Sequence, residues 1–286
     1  MLPADEFGLK LTPYGFVPAS HVFEVSANEI IGISNGRVVA KDRMTGRIVA
    51  DYGESSRQSP DESPFKRAER LCREHFLNLG IGEQHLDVRY PGYYASANVS
   101  RLQSFKTTWI VPDLPTVEVN KTFFIWNGLD GGSMQPVLQW GNGTLTYQIA
   151  NWAYVDGYFH GAYLPVCPGD ILVGAITYIE GSGTKWRFKQ SFEGYPEADL
   201  NVERPNDVSS VAQCYEPYTN EPNEWPANQF VAMKNICLKR RSGALPVANL
   251  GWWISTSDEQ PPTASGKSTI IENYSSRSGE VVFYFH

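Results

Sequence analysis

The chain has 286 residues, enough for one large β domain or for a β-sandwich with an appended region. Aromatic residues make up 13%, with 25 glycines and 19 prolines, which is typical of many strands separated by turns. A net charge of -7 argues against a nucleic-acid-binding surface, and no apolar run approaches the roughly 18 residues of a membrane span. We therefore expect neither a nucleic-acid partner nor a membrane partner.

The first part of the chain is predicted to form β-hairpins followed by one helix. Asn35-Gly36 lies between two apolar stretches and is a strong signal for a two-residue hairpin turn. A second hairpin is predicted through Met44 to Gly46, and the serine- and proline-rich stretch from Gly53 to Pro64 is predicted to be a loop. A helix is predicted over residues 65–77, since apolar residues recur there at helical spacing, namely Ala68, Leu71, Cys72 and Phe76.

From Tyr93 to the C-terminus the pattern is one of strands bounded by Gly, Asn and Pro, with a loop over Ser255 to Lys267. Strands that repeat without alternating helices indicate an antiparallel sandwich or jelly roll. The fold class expected is therefore all-β, with residues 1–90 as an N-terminal extension and residues 91–286 as the sandwich domain. The extension is open to two interpretations, an inhibitory prosegment or an integral part of the fold.

The cysteines and the N-terminus leave the cellular compartment open. The four cysteines are spread without C-x-x-C spacing, so we expect no metal site, and both a Cys214–Cys237 disulfide and free thiols remain open. Met1 to Lys10 lacks the basic start and apolar stretch of a secretory leader, which leaves secreted and cytoplasmic locations open. The sequence carries no phosphate-binding or dinucleotide-binding motif, and no cofactor is expected.

The most informative stretch for function lies between residues 126 and 170. Alternate residues of a strand share a face, so Val137 and Gln139 are predicted to point one way, and Leu138 and Trp140 the other. A glutamine among apolar neighbours cannot be buried cheaply without hydrogen-bond partners. We therefore expect Gln139 either to line an aromatic groove or to hydrogen-bond inside the sandwich.

Several short motifs occur in this region in a fixed order. They are Trp126-Asn-Gly-Leu-Asp-Gly131, then Leu138-Gln-Trp-Gly141, then Tyr147-Gln-Ile-Ala-Asn-Trp152, and finally Pro168-Gly-Asp170. In this order they resemble the glutamic peptidases, or eqolisins, and most closely a group of uncharacterised microbial eqolisin-like proteins. The resemblance covers about residues 100–240. It implies a concanavalin-like β-sandwich of two bent antiparallel sheets with a Gln and a Glu on its concave face.

The resemblance assigns the Gln of that pair to Gln139 and the Glu to the stretch Ala212-Gln-Cys-Tyr-Glu216. The peptidases place their Glu directly after the Ala, where this chain has Gln213, whereas the uncharacterised relatives favour Glu216. Since a one-residue slip turns a side chain to the other face, Gln213 and Glu216 cannot both point into one groove. With Glu216 in place, the resemblance implies a hydrolase in which Glu216 is the general base and acid, and Gln139 the oxyanion donor.

Aromatic residues near Gln139 are candidates for substrate binding, because flat rings stack well on peptides and sugars. Asp130 is included with them, although its glycine-rich context is also typical of a turn. A histidine predicted to lie between two strands is included as well. The substrate-binding candidates are Trp126, Asp130, Trp140, Tyr147, Trp152 and His160. The partner expected is a polypeptide or a carbohydrate. Two alternatives to a hydrolase stay open: a non-catalytic lectin-like module, and a small-molecule biosynthetic enzyme that uses the same groove.

Overall fold

A computed structural model describes residues 7–56, 62–80, 92–117, 121–218, 224–228, 230–245, 252–256, 267–272 and 279–285. The predicted domain boundary at residue 90 lies outside these residues, as do the central parts of the two predicted loops, residues 57–61 and 257–266. No helix in the described part of the chain is long and apolar enough to cross a bilayer.

The N-terminal part contains six strands and one α-helix. Its elements are β1 (Leu9–Thr12), β2 (Gly15–Pro18), a 3-10 turn (Ala19–His21), β3 (Val22–Glu24), β4 (Glu29–Ser34), β5 (Arg37–Asp42), β6 (Ile48–Glu54) and α1 (Pro64–Asn78).

The remaining described chain is β-structure. Its strands are β7 (Tyr93–Asn98), β8 (Leu102–Ile110), β9 (Phe123–Leu129), β10 (Met134–Trp140), β11 (Tyr147–Tyr154), β12 (Tyr158–His160), β13 (Leu164–Val166), β14 (Ile171–Ser182), β15 (Lys185–Phe192), β16 (Tyr195–Arg204), β17 (Ser210–Pro217), β18 (Phe230–Arg240), β19 (Gly243–Leu245), β20 (Trp253–Thr256), β21 (Lys267–Glu272) and β22 (Gly279–Phe285).

Two large sheets form a sandwich, so the predicted all-β fold class is confirmed. The front sheet has the order β20-β7-β17-β9-β10-β11-β12-β3, with β13 beside β11. The back sheet has the order β21-β22-β18-β8-β14-β15-β16-β4-β5-β6, with β19 beside β18. Most neighbouring strands are antiparallel, as short turns between consecutive strands require. The core between the sheets is built from both, with Phe123, Leu138 and Tyr147 in front facing Trp109, Leu172 and Phe188 behind.

The N-terminal strands belong to both sheets. Strand β3 pairs in parallel with β12 in the front sheet, and β4 pairs in parallel with β16 in the back sheet. The hairpin predicted at Asn35-Gly36 is confirmed, with both residues at positive φ (52° and 73°), as the favoured two-residue hairpin turn requires. The second predicted hairpin, β5–β6, is also present. Strand β6 runs on to Glu54, one residue beyond the start of the predicted loop.

Helix α1 confirms the predicted helix at residues 65–77, extended by one residue at each end. It begins where the side chain of Ser63 accepts a hydrogen bond from the amide of Lys66, with Pro64 as the first helical residue. Its buried face carries Ala68, Leu71, Cys72 and Phe76, the residues whose spacing predicted the helix. This face packs on the β1–β2 hairpin and on the front sheet.

Candidate functional site

The strand register of the front sheet brings Gln139 and Glu216 into one row. Gln139 on β10 lies opposite Phe124 on β9, and Phe124 lies opposite Glu216 on β17. On its other side Gln139 lies opposite Gln148 on β11. We call Gln148, Gln139, Phe124 and Glu216 the polar row. It lies on the surface of the front sheet that faces away from the back sheet, which we call the front face.

Glu216, and not Gln213, lies on the front face. Along β17, Ala212 and Cys214 pack with the front-face residues, whereas Val211 and Tyr215 pack between the sheets. Glu216 follows the first set, and its carboxyl accepts a hydrogen bond from the Tyr94 hydroxyl at 3.0 Å. Gln213 is turned the other way, and its amide donates to the Thr107 hydroxyl of the back sheet at 2.7 Å. The two side chains therefore point to opposite faces, as strand alternation predicts.

Glu216 is a fully enclosed carboxyl. Burial raises its pKa to about 8, and hydrogen bonding by Trp126, Tyr94 and Cys214 offsets only part of that increase. Its second oxygen, Oε2, has no hydrogen-bond partner among the described residues. In this closed arrangement the raised pKa favours the protonated, neutral form of Glu216 at neutral pH.

Gln139 is buried with its amide directed along the polar row. Its Nε2 donates to Oε1 of Gln148 at 3.2 Å, and its own Oε1 has no hydrogen-bond partner within the described chain. Neighbouring strands lie about 4.8 Å apart, so the two-strand step from Gln139 to Glu216 separates their Cα atoms by roughly 10 Å. The ring of Phe124 lies between them.

A second row of the front face is apolar and aromatic. Val137 lies opposite Trp126, and Trp126 opposite Cys214, which in turn lies opposite Tyr94. Trp152, two residues beyond this row on β11, packs into the same cluster. Trp126 and Trp152 are thus brought to the face that carries Gln139 and Glu216, as proposed for substrate-binding residues.

Trp140 and Tyr147 do not share this face, which corrects their grouping with Gln139 in one groove. Both rings lie in the core between the sheets, 5.0 Å apart, and the Tyr147 hydroxyl donates to the backbone oxygen of Asp113 at 3.0 Å. The physical reason is strand alternation, since Trp140 follows Gln139 directly and Tyr147 directly precedes Gln148.

Asp130 lies at the β9–β10 turn, with φ of 44°. Its carboxylate accepts hydrogen bonds from the backbone amides of Ser209 and Ser210 at 2.8 and 3.0 Å. It also pairs with Arg204 at 2.6 Å. These contacts tie the turn to the chain that enters β17, and so they position the strand that carries Glu216.

His160 lies on the front face but four strands away from Glu216 in the sheet order. Its ring contacts those of Trp152 and Tyr163, with centroids 4.8 and 4.7 Å apart, and its Nδ1 lies 2.8 Å from the backbone oxygen of Gly161. Burial lowers the pKa of His160, which favours the neutral form of the ring. The structure brings it beside Trp152 and not beside the Gln139–Glu216 pair.

The β1–β2 hairpin and helix α1 together cover the front face, and we call them the cap. Tyr14 and Val17 of the hairpin and Ala68 and Leu71 of the helix pack against the front-face cluster. The cap and the front sheet are also joined by a salt bridge between Arg67 and Asp156 at 3.0 Å. Gln139 and Glu216 are therefore closed off from solvent, whereas Gln148, at the end of the polar row, is half-buried.

Several residues of the site are not among the sequence candidates. Gln148 was detectable in principle, because counting back from the hairpin between β10 and β11 pairs it with Gln139. Tyr94 and Tyr14 carry no local signal, since their proximity to Glu216 follows from long-range strand pairing and from the packing of the cap.

The four cysteines are free thiols, with Cys214 buried on the front face beside Glu216. Burial raises the pKa of the Cys214 thiol well above its usual value, and the neighbouring Glu216 raises it further. Cys214 is therefore an unreactive packing residue in the closed form.

No family model and no curated protein matches the sequence. Among solved structures, the chain is similar to scytalido-glutamic peptidase with a peptide-based transition state analogue, at 12% identity, covering 67% of this chain and 97% of that chain, with a TM-score of 0.47. It is similar to a peptidase of the eqolisin family in a complex with a tripeptide, at 11% identity, 69% and 98% coverage and a TM-score of 0.46. A third likeness is to galectin-Ib of Xenopus laevis, at 13% identity, 45% and 96% coverage and a TM-score of 0.27.

Proposed function

We propose that the protein is a glutamic-type hydrolase that acts on polypeptides, with Glu216 and Gln139 as its catalytic residues. The observation that carries the proposal is the polar row, in which a buried carboxyl and a buried primary amide share one aromatic-lined face. The register supports it as well, because Gln213, the competing residue, points between the sheets.

The proposed chemistry needs only these two groups and water. Ionised Glu216 removes a proton from water as the water oxygen bonds to the carbonyl carbon of the substrate. The amide of Gln139 donates a hydrogen bond to the carbonyl oxygen as negative charge develops on it, an interaction worth about 3–4 kcal/mol of the barrier. Glu216 then returns the proton to the leaving nitrogen as the carbon–nitrogen bond breaks.

The cap affects both the access of a substrate to the polar row and the protonation of Glu216. A general base must be ionised, yet the closed arrangement raises the pKa of Glu216 to about 8, chiefly by burial. When the cap is displaced, water reaches the carboxyl and its pKa falls toward the ordinary value for glutamate. We therefore expect activity in the acid range only from molecules whose cap has opened.

The test is cleavage of a denatured protein substrate between pH 2 and 8 by the wild type, Glu216→Gln and Gln139→Ala. A matched control is Glu193→Gln, which removes an exposed carboxylate of the back sheet that pairs with Lys106 at 2.6 Å. We expect Glu216→Gln to abolish cleavage, Gln139→Ala to reduce it about 10²–10³-fold, and the control to keep it. Absence of cleavage by the folded wild type at every pH, including after incubation in acid, would reject the hydrolase.

A second candidate function is a non-catalytic groove that binds a peptide or a carbohydrate. It is favoured by one observation, that Gln139 and Glu216 are bonded to different partners, Gln148 and Tyr94, with the ring of Phe124 between them. Binding that survives Glu216→Gln but is lost in Trp152→Ala, without any cleavage, would support this function over the first.

A further inference from the structure

The tip of the β1–β2 hairpin is buried as completely as the core of the sandwich. Thr12 and Gly15 are paired, which leaves Pro13 and Tyr14 as a two-residue turn. All four of these residues are buried, and the side chain of Tyr14 is 0% exposed. Turns normally lie at the surface because their backbone groups need water. This turn is instead inserted tip first into the front face.

The turn has a fixed conformation of its own. The Thr12 hydroxyl donates to the backbone oxygen of Gly15 at 2.8 Å and accepts a hydrogen bond from the amide of Tyr14 at 3.1 Å. Proline at the first central position presets the backbone there. Local interactions therefore fix the conformation of the turn, and the Tyr14 side chain projects outward from it. An anchoring residue of a bound peptide projects into its binding site in the same way.

The ring of Tyr14 lies among aromatic residues of the front face and the helix. Its centroid is 5.1 Å from that of Tyr158, 5.7 Å from that of Phe65 and 6.3 Å from that of Trp152. Its hydroxyl has no hydrogen-bond partner among the described residues, so the contact recognises the ring and not the phenol. Burial raises the pKa of the Tyr14 phenol well above its usual value, and the charge of Glu216 raises it further.

Polar atoms on the same face are left without partners in the described chain. They include the indole nitrogen of Trp152, both side-chain polar atoms of Gln135 and Oε1 of Gln139. Buried groups of this kind normally find partners. The amide groups of an extended polypeptide laid on this face could supply them, whereas in the hairpin tip the Thr12 hydroxyl, the Gly15 oxygen and the Tyr14 amide bond to one another.

We propose that the Thr12–Gly15 turn acts as an intramolecular ligand of the front face. The side chain of Tyr14 occupies the subsite that would bind an aromatic side chain of a polypeptide ligand. This inference rests on the proposed function in that the polypeptide would bind to the same front face, but the recognition of an aromatic residue does not depend on hydrolysis. A polypeptide that presents a Tyr or Phe side chain enters when the cap withdraws.

The way the hairpin is attached allows it to withdraw. In the described chain, β1 and β2 pair only with each other, whereas β3 to β6 are hydrogen-bonded into the two large sheets. The hairpin meets the front sheet through side-chain packing and through a hydrogen bond from the Asn142 amide to the backbone oxygen of Leu11 at 3.1 Å. Its departure breaks no strand pairing of either large sheet.

The experiment uses a fluorescent peptide with the sequence of residues 9–18 and the full-length Tyr14→Ala protein, whose own hairpin no longer fills the subsite. We expect saturable binding of the peptide by Tyr14→Ala, measured by fluorescence anisotropy. The wild type should bind at least tenfold more weakly, because its own hairpin competes at an effective concentration on the order of millimolar. Replacing the peptide's tyrosine by phenylalanine should change binding less than threefold, and replacing it by alanine should weaken binding at least tenfold.

A matched control is Val38→Ala, which makes a cavity in the core between the sheets, away from the cap. It should gain no affinity for the peptide. Equal binding of the tyrosine and alanine peptides, or no binding by folded Tyr14→Ala, would overturn the proposal. If Tyr14→Ala fails to fold, Tyr14→Leu, which keeps more of the packing, takes its place.

The peptide is checked by mass spectrometry after each measurement, so that binding and hydrolysis are read separately. Binding that needs the aromatic residue, without cleavage of any substrate, would uphold this inference and reject the hydrolase. Acid cleavage abolished by Glu216→Gln, but without aromatic-dependent binding of the peptide, would uphold the hydrolase and reject this inference.

Discussion

The two faces of the front sheet are both buried and both rich in aromatic residues, yet they are covered in different ways. The inner face meets the back sheet, where the amide nitrogen of Gln213 donates to Thr107 and that of Asn127 to the backbone oxygen of Gly174 at 3.3 Å, while the amide oxygens of both residues have no hydrogen-bond partner among the described residues. The front face meets the cap, whose hairpin shares no strand pairing with either sheet in the described chain. A carboxyl with one unpartnered oxygen, Glu216, lies on this second face. Burial on the inner face stabilises the fold, whereas burial on the front face encloses a candidate site.

Adjacent residues of β9 provide the most direct test of this difference. Phe123 points between the sheets and Phe124 toward the cap, and both are 0% exposed. We expect Phe123→Ala to lower the free energy of unfolding by about 3–5 kcal/mol, because the space between two large sheets cannot collapse. The loss of unfolding free energy in Phe124→Ala should be about 1–2 kcal/mol smaller than in Phe123→Ala, because the hairpin can move into the space that the ring leaves. Urea unfolding measures the free energy of unfolding of both variants. Equal losses would mean that the cap adjusts to a cavity no better than the back sheet does.

The carboxyl of Glu216 should make the stability of the protein fall as the pH rises. Its pKa in the folded state is about 8, whereas that of an unfolded glutamate is about 4.3. The folded state therefore binds more protons between these values, and the stability that is fully present below pH 4 is lost progressively as the pH rises toward 8.

Glu216→Gln keeps the shape of the neutral acid and removes this dependence. We expect the variant to be more stable than the wild type by about 3 kcal/mol at pH 7, and nearly equal to it at pH 4. Chemical unfolding across this pH range measures the effect, with Glu193→Gln as the exposed-carboxylate control. A pH-independent difference between Glu216→Gln and the wild type would show that Glu216 is not held as a neutral acid.

The salt bridge between Arg67 and Asp156 should affect the cap more than the sandwich. The two side chains are only 9% and 8% exposed, so removing one partner leaves a poorly solvated charge. We expect Asp156→Asn to lower the opening free energy of the cap amides by about 2 kcal/mol in native-state hydrogen exchange, with a smaller effect on amides of β14 and β15.

An exposed pair of the same helix serves as the control for this change. Arg73 pairs with Glu69 at 2.6 Å, and both side chains are exposed. Arg73→Gln should therefore lower the opening free energy of the cap amides by less than about 0.5 kcal/mol. Equal loss of protection in the cap and in the sandwich after Asp156→Asn would mean that the two unfold as one unit.

Local patterns were sufficient for much of the fold. Asn35-Gly36 specified its turn because only a few residue types adopt the positive φ that the turn needs, and the apolar spacing of α1 identified the helix and its buried face. Alternation separated Gln139 from Trp140 correctly. Extending one groove to include Trp140 and Tyr147 was wrong in geometry, since nearness in sequence does not place residues on one face.

The sequence by itself determined the all-β class, the hairpins, the helix and the alternation that turns Gln139 away from Trp140, because these depend on backbone preferences and on the periodicity of neighbouring residues. Only the tertiary structure decided that Phe124 lies between Gln139 and Glu216, that Tyr94 bonds to the carboxyl, and that Tyr14 fills the front face. These arrangements join segments up to about two hundred residues apart in the chain. They depend on strand order and on the packing of the cap, neither of which leaves a periodic signal in the sequence.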